Sequence, residues 1–305
     1  MEPFPFPSVI DNTMRSVFVQ CPRKFFYEFI RQKSPESRSV DLGAGAAFAK
    51  GLEVARTLFY SGQASAPDAI LAGARSLLKA YPDFSVGEMG RNPKTLDRVL
   101  GAFGYYFDSW PLEEDYFTPL IQSGKPAVEF SFAIPLPILH PQTGEPILYS
   151  GRFDMFAEHR DGGLYVFDDK TTKQLGALWA KKWSLRSQFS GYVWAGQQYG
   201  YACGGAVIRG IAIRSTGFDK AEAITARPRH MIDQWHDQLL RDIRRMITSW
   251  EAGYFDFDLA DACASFSGCG FIDICSSGNP EMWLRDLPDR IWNPLKKPEE
   301  EGASA

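Results

Sequence analysis

The sequence predicts a single α/β domain, and three observations carry that expectation. From Asp11 to Trp110 apolar residues recur at helical spacing. A stretch of alternating and β-branched residues then folds about the turn Asp161-Gly162-Gly163. After it come a helix-period segment, the apolar strand GGAVIRGIAIRS and a long amphipathic helix, in that order.

The elements follow from local chemistry. Asp11, Asn12 and Thr13 supply N-cap candidates for a helix through Met14, Val17 and Phe18 to Cys21, where Pro22 interrupts it. RKFFYEFIRQK is a second helical piece, with Phe25, Phe26, Phe29 and Ile30 at core spacing. Beyond a polar linker from Ser34 to Ser39, DLGAGAAFAKGLEVARTLFYSG reads as a helix with small residues on one side, ended by Gly62. Pro67 to Ala80 and Pro93 to Trp110 continue the helical pattern.

The character then changes. Ala127 to Leu136, AVEFSFAIPL, alternates as a strand and carries Glu129. With Leu148 to Glu158 and Leu164 to Phe167 it makes a three-stranded antiparallel start to a sheet. Trp183 to Tyr201 is the next helix, Gly204 to Ser215 the fourth strand, and Met231 to Trp250 a long amphipathic helix. The expected boundaries are one domain over 1–296, with a helical part at 11–113, a sheet core at 127–253 and a cysteine-rich part at 256–279. Residues 297–305 form a polar, disordered tail.

Composition excludes several classes. The chain has 305 residues, 45% hydrophobic and 23% charged, which is ordinary for a globular protein. No apolar run approaches the roughly 18 residues of a membrane span, and MEPFPFPSVIDN has no signal-peptide pattern, so a cytoplasmic location with no membrane partner is expected. A net charge of −4 argues against passive coating of DNA, but not against an enzyme that gathers divalent metal and confines its basic residues to a groove. Basic clusters stand at Arg23 and Lys24, at Lys170, Lys173, Lys181, Lys182 and Arg186, and at Arg241, Arg244 and Arg245. No G-x-x-x-x-G-K-S/T loop occurs, which excludes a P-loop motor. GAGAAF fails as a dinucleotide-binding turn, because Phe48 replaces the third glycine and no strand precedes it.

The hairpin carries carboxylates where a buried strand disfavours them. A loop centred on Asp161 sets Asp154 across from Asp168, with Cβ atoms about 4.5 to 5.5 Å apart. Asp168 shares its face with the core-like Leu164 and Val166, so mutual repulsion and burial both penalise the pair. A bound cation removes both penalties. Lys170 lies on the same face. A two-residue turn would instead bring Asp169 opposite Asp154, and the bland alternative is a solvated hairpin end with ordinary surface charges.

Five cysteines are present. Cys263, Cys269 and Cys275 lie in a glycine-bearing loop, and in an intracellular chain they read as either a metal site or buried thiols. Their spacing is wider than the two-residue gap common in zinc sites. An iron–sulfur cluster would need a fourth thiolate, for which Cys21 is the candidate.

QCPRKFFYEF, GRFD, VFDDKTT, Gln188 and Tyr192 in QFSGY, and the three late cysteines occur in a specific order. Together they resemble the PD-(D/E)XK nuclease superfamily, and within it the branch of Cas4 proteins and RecB-type and AddB-type nuclease domains, stand-alone phage versions included. The likeness runs from Thr13 to about Ser276. It implies a restriction-endonuclease-like core, a small mixed sheet flanked by helices. It implies a metal-dependent DNA exonuclease using Mg2+ or Mn2+, acting on DNA ends or single strands, with protein partners in recombination, repair or phage replication.

Carried over by position, the resemblance makes Asp154 and Asp168 metal-ligating carboxylates, the Asp169 carbonyl a further ligand and Lys170 the catalytic lysine. Gln188 and Tyr192 match a Q-x-x-x-Y motif on the helix after the sheet, one face of which meets a DNA strand, with Tyr192 available for stacking; apart from the motif they read as an ordinary amphipathic helix with Tyr192 half buried. Cys21, Cys263, Cys269 and Cys275 match the ligands of a structural 4Fe-4S cluster, leaving Cys203 as a buried strand thiol. One departure stands out: the early helix of such proteins carries a histidine in G-x-x-x-H, and this chain has Ala49 there. Glu53, one turn later on the same face, reads equally as a substitute ligand and as a solvated helix carboxylate. A catalytically weakened DNA-binding or partner-docking protein of the same fold is the alternative that Ala49 raises.

Overall fold

A computed structural model of the chain describes residues 4–35, 39–258, 261–264 and 268–295. In chain order the elements are β1 (Val9–Asp11), α1 (Asn12–Gln20), α2 (Pro22–Phe25), α3 (Val40–Tyr60), α4 (Ala66–Ala80), α5 (Val86–Met89) and α6 (Leu96–Ser109). Then come β2 (Phe117–Pro119), β3 (Ile121–Gln122), β4 (Lys125–Pro126), β5 (Val128–Leu139), β6 (Pro146–His159) and β7 (Leu164–Thr172). The chain continues through α7 (Ser187–Gln198), β8 (Cys203–Ile213), β9 (Phe218–Ala226), α8 (Arg229–Glu251), α9 (Ile272–Ser276) and α10 (Pro280–Arg285).

The chain forms two compact units, and β5, β6 and α8 contribute residues to both. One unit comprises Arg38–Phe130 and Arg152–Ile232. In it the end of β6 pairs with β2 and with β7, both antiparallel; β7 pairs parallel with β8, which pairs antiparallel with β9. The sheet is therefore mixed. The parallel step is made by a crossover through α7, as it must be, because parallel neighbours cannot be joined by a tight turn. On one side pack α3, α4 and α6, through Ala44, Ala47, Phe48, Leu52, Ala55, Leu77, Val99 and Phe103. The small residues foreseen on α3 thus become its contact face. Its start is capped by Ser39, whose hydroxyl accepts the Leu42 N–H at 3.3 Å.

The second unit comprises Met1–Ser37, Ser131–Gly151 and Asp233–Ala305. There β1 runs parallel to the start of β6, Val9 facing Leu148. Asp11 caps α1 through the Met14 N–H at 2.7 Å. A buried ion pair, Arg15 to Asp242 at 2.9 Å, joins α1 to α8.

Several elements differ from expectation for local reasons. The helix foreseen from Trp183 starts only at Ser187; Trp183 ends a short 3-10 turn. After α2 the chain widens into a π-helical turn, Phe26–Ile30. Strand β9, FDKAEAITA, escaped the sequence pattern because its alanines, lysine and glutamate favour helix. The polar tail falls outside the described residues.

Candidate functional site

The hairpin of β6 and β7 turns through Gly162 and Gly163, at φ of 88° and 97°, a conformation that penalises a Cβ. Its register pairs Met155 with Phe167 and Glu158 with Leu164, the frame centred on Asp161. Asp154 follows next, and there a side chain replaces the ladder: the Asp169 N–H donates to Asp154 Oδ2 at 2.7 Å.

Asp168 is 3% exposed. Its Oδ2 lies 2.5 Å from the Lys170 ammonium, and Gln188 Nε2 approaches its Oδ1 at 3.4 Å. The same amide donates to the Tyr192 hydroxyl at 2.9 Å, as the four-residue spacing on α7 allows. Tyr192 is buried, its ring 5.4 Å from that of Phe153, so its face is not open for a base to stack on. That corrects the stacking expectation and leaves Tyr192 its hydroxyl.

The electrostatics are unbalanced in favour of negative charge. Burial, then the carboxylates of Asp168, Glu129 and Asp169, push the pKa of Asp154 well above the usual range against the pull of Lys170. Burial likewise raises Asp168, while Lys170 opposes it. For Lys170 burial acts downward, yet Asp168 and Asp154 outweigh it and hold its pKa up. One ammonium thus serves several buried acids.

Behind Asp169 lies a second set of charges. Arg56 on α3 reaches Asp169 Oδ2 at 2.6 Å and the Tyr106 hydroxyl at 2.5 Å. Arg209, the β8 neighbour of Asp169, is fully buried; it bonds both oxygens of Asp115 at 2.6 and 2.7 Å and Glu222 at 2.8 Å. These charges are matched, as buried ones must be.

A family model described as the PD-(D/E)XK nuclease superfamily matches residues 14–276. The chain belongs to that superfamily. The mixed sheet flanked by helices is its restriction-endonuclease-like fold. No curated protein matches the sequence. Among solved structures, the chain is similar to a protein from Eubacterium rectale described as "Putative exonuclease", with 10% identity, 86% of this chain and 89% of that one covered, and a TM-score of 0.50. A structure described as SSO0001 aligns at 13% identity over 75% of this chain and 84% of that one, with a TM-score of 0.32.

PD-(D/E)XK nucleases generally use divalent metals such as Mg2+. Here the fit rests on donor chemistry: Asp154 and Asp168 are hard oxygen donors whose mutual repulsion a divalent cation relieves. They form a pair and not a closed cage, because among the described residues no three His, Cys, Asp or Glu are arranged to hold a metal ion. Glu53 is ion-paired with Lys50 at 2.9 Å on its own helix. The acid from outside the D-D-K tripeptide that acts on Asp154 is Glu129 of β5, itself bridged to Arg152 at 2.7 Å.

The four cysteines of the superfamily likeness share a neighbourhood. Cys269 N–H bonds the Cys263 carbonyl at 2.8 Å, and Cys269 and Cys275 pack on Tyr27, Phe271 and Ile274. Burial first, then the charges of Cys269 and Cys21, raise both Cys263 and Cys275, the latter to about 11. Their thiols do not form a closed metal-holding group among the described residues. Cys203 is a buried strand thiol, its pKa raised to about 11 by burial.

The residues that sequence reasoning missed are Arg56, Tyr106 and Arg209, together with Glu129 as a neighbour of Asp154. Arg209 left a signal: an arginine inside an otherwise apolar strand demands buried acids. Arg56 left none, since one arginine on an amphipathic helix reads as solvated.

Proposed function

We propose that this chain is a metal-dependent deoxyribonuclease, an exonuclease acting on DNA ends or single strands. The observation that carries the reading is the cluster of Asp154, the buried Asp168 and the partly exposed Lys170 on one hairpin, with Lys170 2.5 Å from Asp168. Asp154, Asp168 and the Asp169 carbonyl would hold Mg2+ or Mn2+. When bound, the ion supplies Lewis acidity and a water of lowered pKa.

The chain's own groups do the rest. The Lys170 ammonium, kept protonated by its acid neighbours, offers N–H donors to a phosphoryl oxygen as charge develops on it. Gln188 orients the Asp168 carboxylate and is itself held by the Tyr192 hydroxyl. The Asp169 N–H fixes the Asp154 carboxylate.

A structural 4Fe-4S cluster on Cys21, Cys263, Cys269 and Cys275 is part of the proposal. Its support is the shared neighbourhood of the thiols. Iron and acid-labile sulfide in anaerobically purified protein test it; stoichiometric zinc or no metal overturns it. We also read residues 1–296 as one domain, because strands β5 and β6 run through both units. A cytoplasmic location and partners in recombination, repair or phage replication belong to the same reading; no described helix is long and apolar enough to cross a membrane.

Ala49 favours a second reading, a catalytically weakened DNA-binding or partner-docking protein, because α3 brings no histidine to β7. Metal-dependent degradation of end-labelled DNA by wild type, lost in Asp168→Ala, supports the nuclease. Equal products from both proteins sink it.

A further inference from the structure

Between Asp169 and Asp219 the chain contains no Asp or Glu, although acids outnumber bases overall and the net charge is −4. The segment from β7 to α7, KQLGALWAKKWSLR, lies inside this acid-free stretch. It is pinned from below by two tryptophans. Trp179 and Trp183 are 5% and 7% exposed and meet edge-on at 5.5 Å. Trp179 packs straight onto the backbone of β8: a Cβ added at Gly210 would come within 2.3 Å of its ring, so any larger residue there must displace the ring. Trp183 packs on Phe189 of α7, and its carbonyl accepts a bond from the buried Arg227 at 2.7 Å.

What this anchored shelf presents to solvent is unusual. Leu178 and Leu185 are 69% and 81% exposed, and Lys181, Lys182 and Arg186 are exposed beside them. Among the described residues, none of these three cations has an acidic partner within ion-pair distance. Lys182 lies over the Trp183 ring at 4.3 Å. Burial, and then the positive charges of Arg186 and Lys170, lower its pKa.

We propose that this tryptophan-pinned shelf is the docking surface for single-stranded DNA. Lys181, Lys182 and Arg186 take the phosphodiester backbone, and Leu178 and Leu185 meet bases. Unpartnered cations on an acid-free segment complement a polyanion, and the shelf follows the strand that carries Lys170. The leucines decide for a single strand. Unstacked bases offer apolar faces, whereas a duplex buries them and shows mainly phosphate. The proposal rests on the deoxyribonuclease reading for its biological meaning.

The test is fluorescence anisotropy of labelled single-stranded and duplex DNA across a salt series, without divalent metal so that no hydrolysis intervenes. The variants are the triple Lys181→Ala/Lys182→Ala/Arg186→Ala and the double Leu178→Ser/Leu185→Ser, all at exposed positions, with unchanged thermal melting as the check on folding. Each phosphate contact on a single strand contributes about 0.7 to the slope of log K against log salt, so the triple variant is expected to lose about 2 from that slope. The double variant is expected to weaken single-strand binding several-fold with the slope unchanged. An unchanged slope in the triple variant, or duplex binding that equals single-strand binding and ignores the leucines, overturns the proposal. Metal-dependent turnover of bis-p-nitrophenyl phosphate by the wild type reads the carboxylate site apart from the shelf. Its absence counts against the nuclease reading, while the anisotropy still decides the shelf.

Discussion

Arg56 and Asp169 meet at 2.6 Å inside the protein, their side chains 4% and 2% exposed. The pair ties helix α3 to the middle residue of the D-D-K tripeptide. Through its N–H the same Asp169 holds the Asp154 carboxylate, so one residue links the buried arginine to the candidate metal ligands. Arg56→Ala leaves the Asp169 charge buried and unpaired, for a loss of about 3 to 5 kcal/mol in urea denaturation. Arg56→Lys keeps the charge but not the forked bond to Tyr106, and an intermediate loss is expected.

Asp154 and Asp168 strain the metal-free protein. Removing one charge relieves the repulsion, and an asparagine oxygen still accepts the Asp169 N–H. Asp154→Asn is therefore expected to melt above wild type without metal. Added Mn2+ should reverse the order, stabilising wild type by about 2.7 kcal/mol at a hundredfold excess over Kd and leaving the variant unmoved. Melting curves with and without Mn2+ check both halves.

The face of α3 that carries Ala49 looks onto the end of β7. A Cβ at Gly45, one turn earlier, would lie 3.6 Å from Thr171 Oγ1, and Arg56 on the same helix reaches Asp169. Ala49→His is expected to add an imidazole donor and raise Mn2+ affinity several-fold, measured by titration calorimetry. An unchanged affinity would mean that Ala49 is not the vacated ligand position.

Asp11 makes stability depend on pH. Burial raises its carboxyl from 3.8 to about 6 despite the bonds from Met14 and Trp292. The folded form thus holds its proton more tightly than the unfolded chain. The contribution of Asp11 to stability is full below 3.8, is lost as pH rises to about 6 and is absent above it. The loss across that window is about 3 kcal/mol. Asp11→Asn keeps an oxygen for the cap and is expected to flatten the profile, measured by denaturation at a series of pH values.

Gly210→Ala pushes a methyl group into the Trp179 ring. A destabilisation of about 1 to 3 kcal/mol is expected. It should come with red-shifted tryptophan emission as the ring moves toward water, read in one fluorescence experiment.

Much of the site was legible because its signals are local. Turn chemistry at Asp161-Gly162-Gly163 and strand alternation set the hairpin register, and the period of two put Lys170 beside Asp168. The four-residue spacing put Gln188 against Tyr192. Strand β9 was not legible, because its composition favours helix and only pairing with β8 makes it a strand.

By itself, then, the sequence determined the α/β class, the hairpin frame and the order of the motifs, since each depends on local composition or on residues a few positions apart. Tertiary structure alone decided that Arg56 holds Asp169 across 113 residues. It alone decided that Glu129 acts on Asp154 and that the Tyr192 ring is covered. Those are long-range outcomes of packing. They arise where buried charges and rings must find partners, and no periodicity along the chain encodes which partner that is.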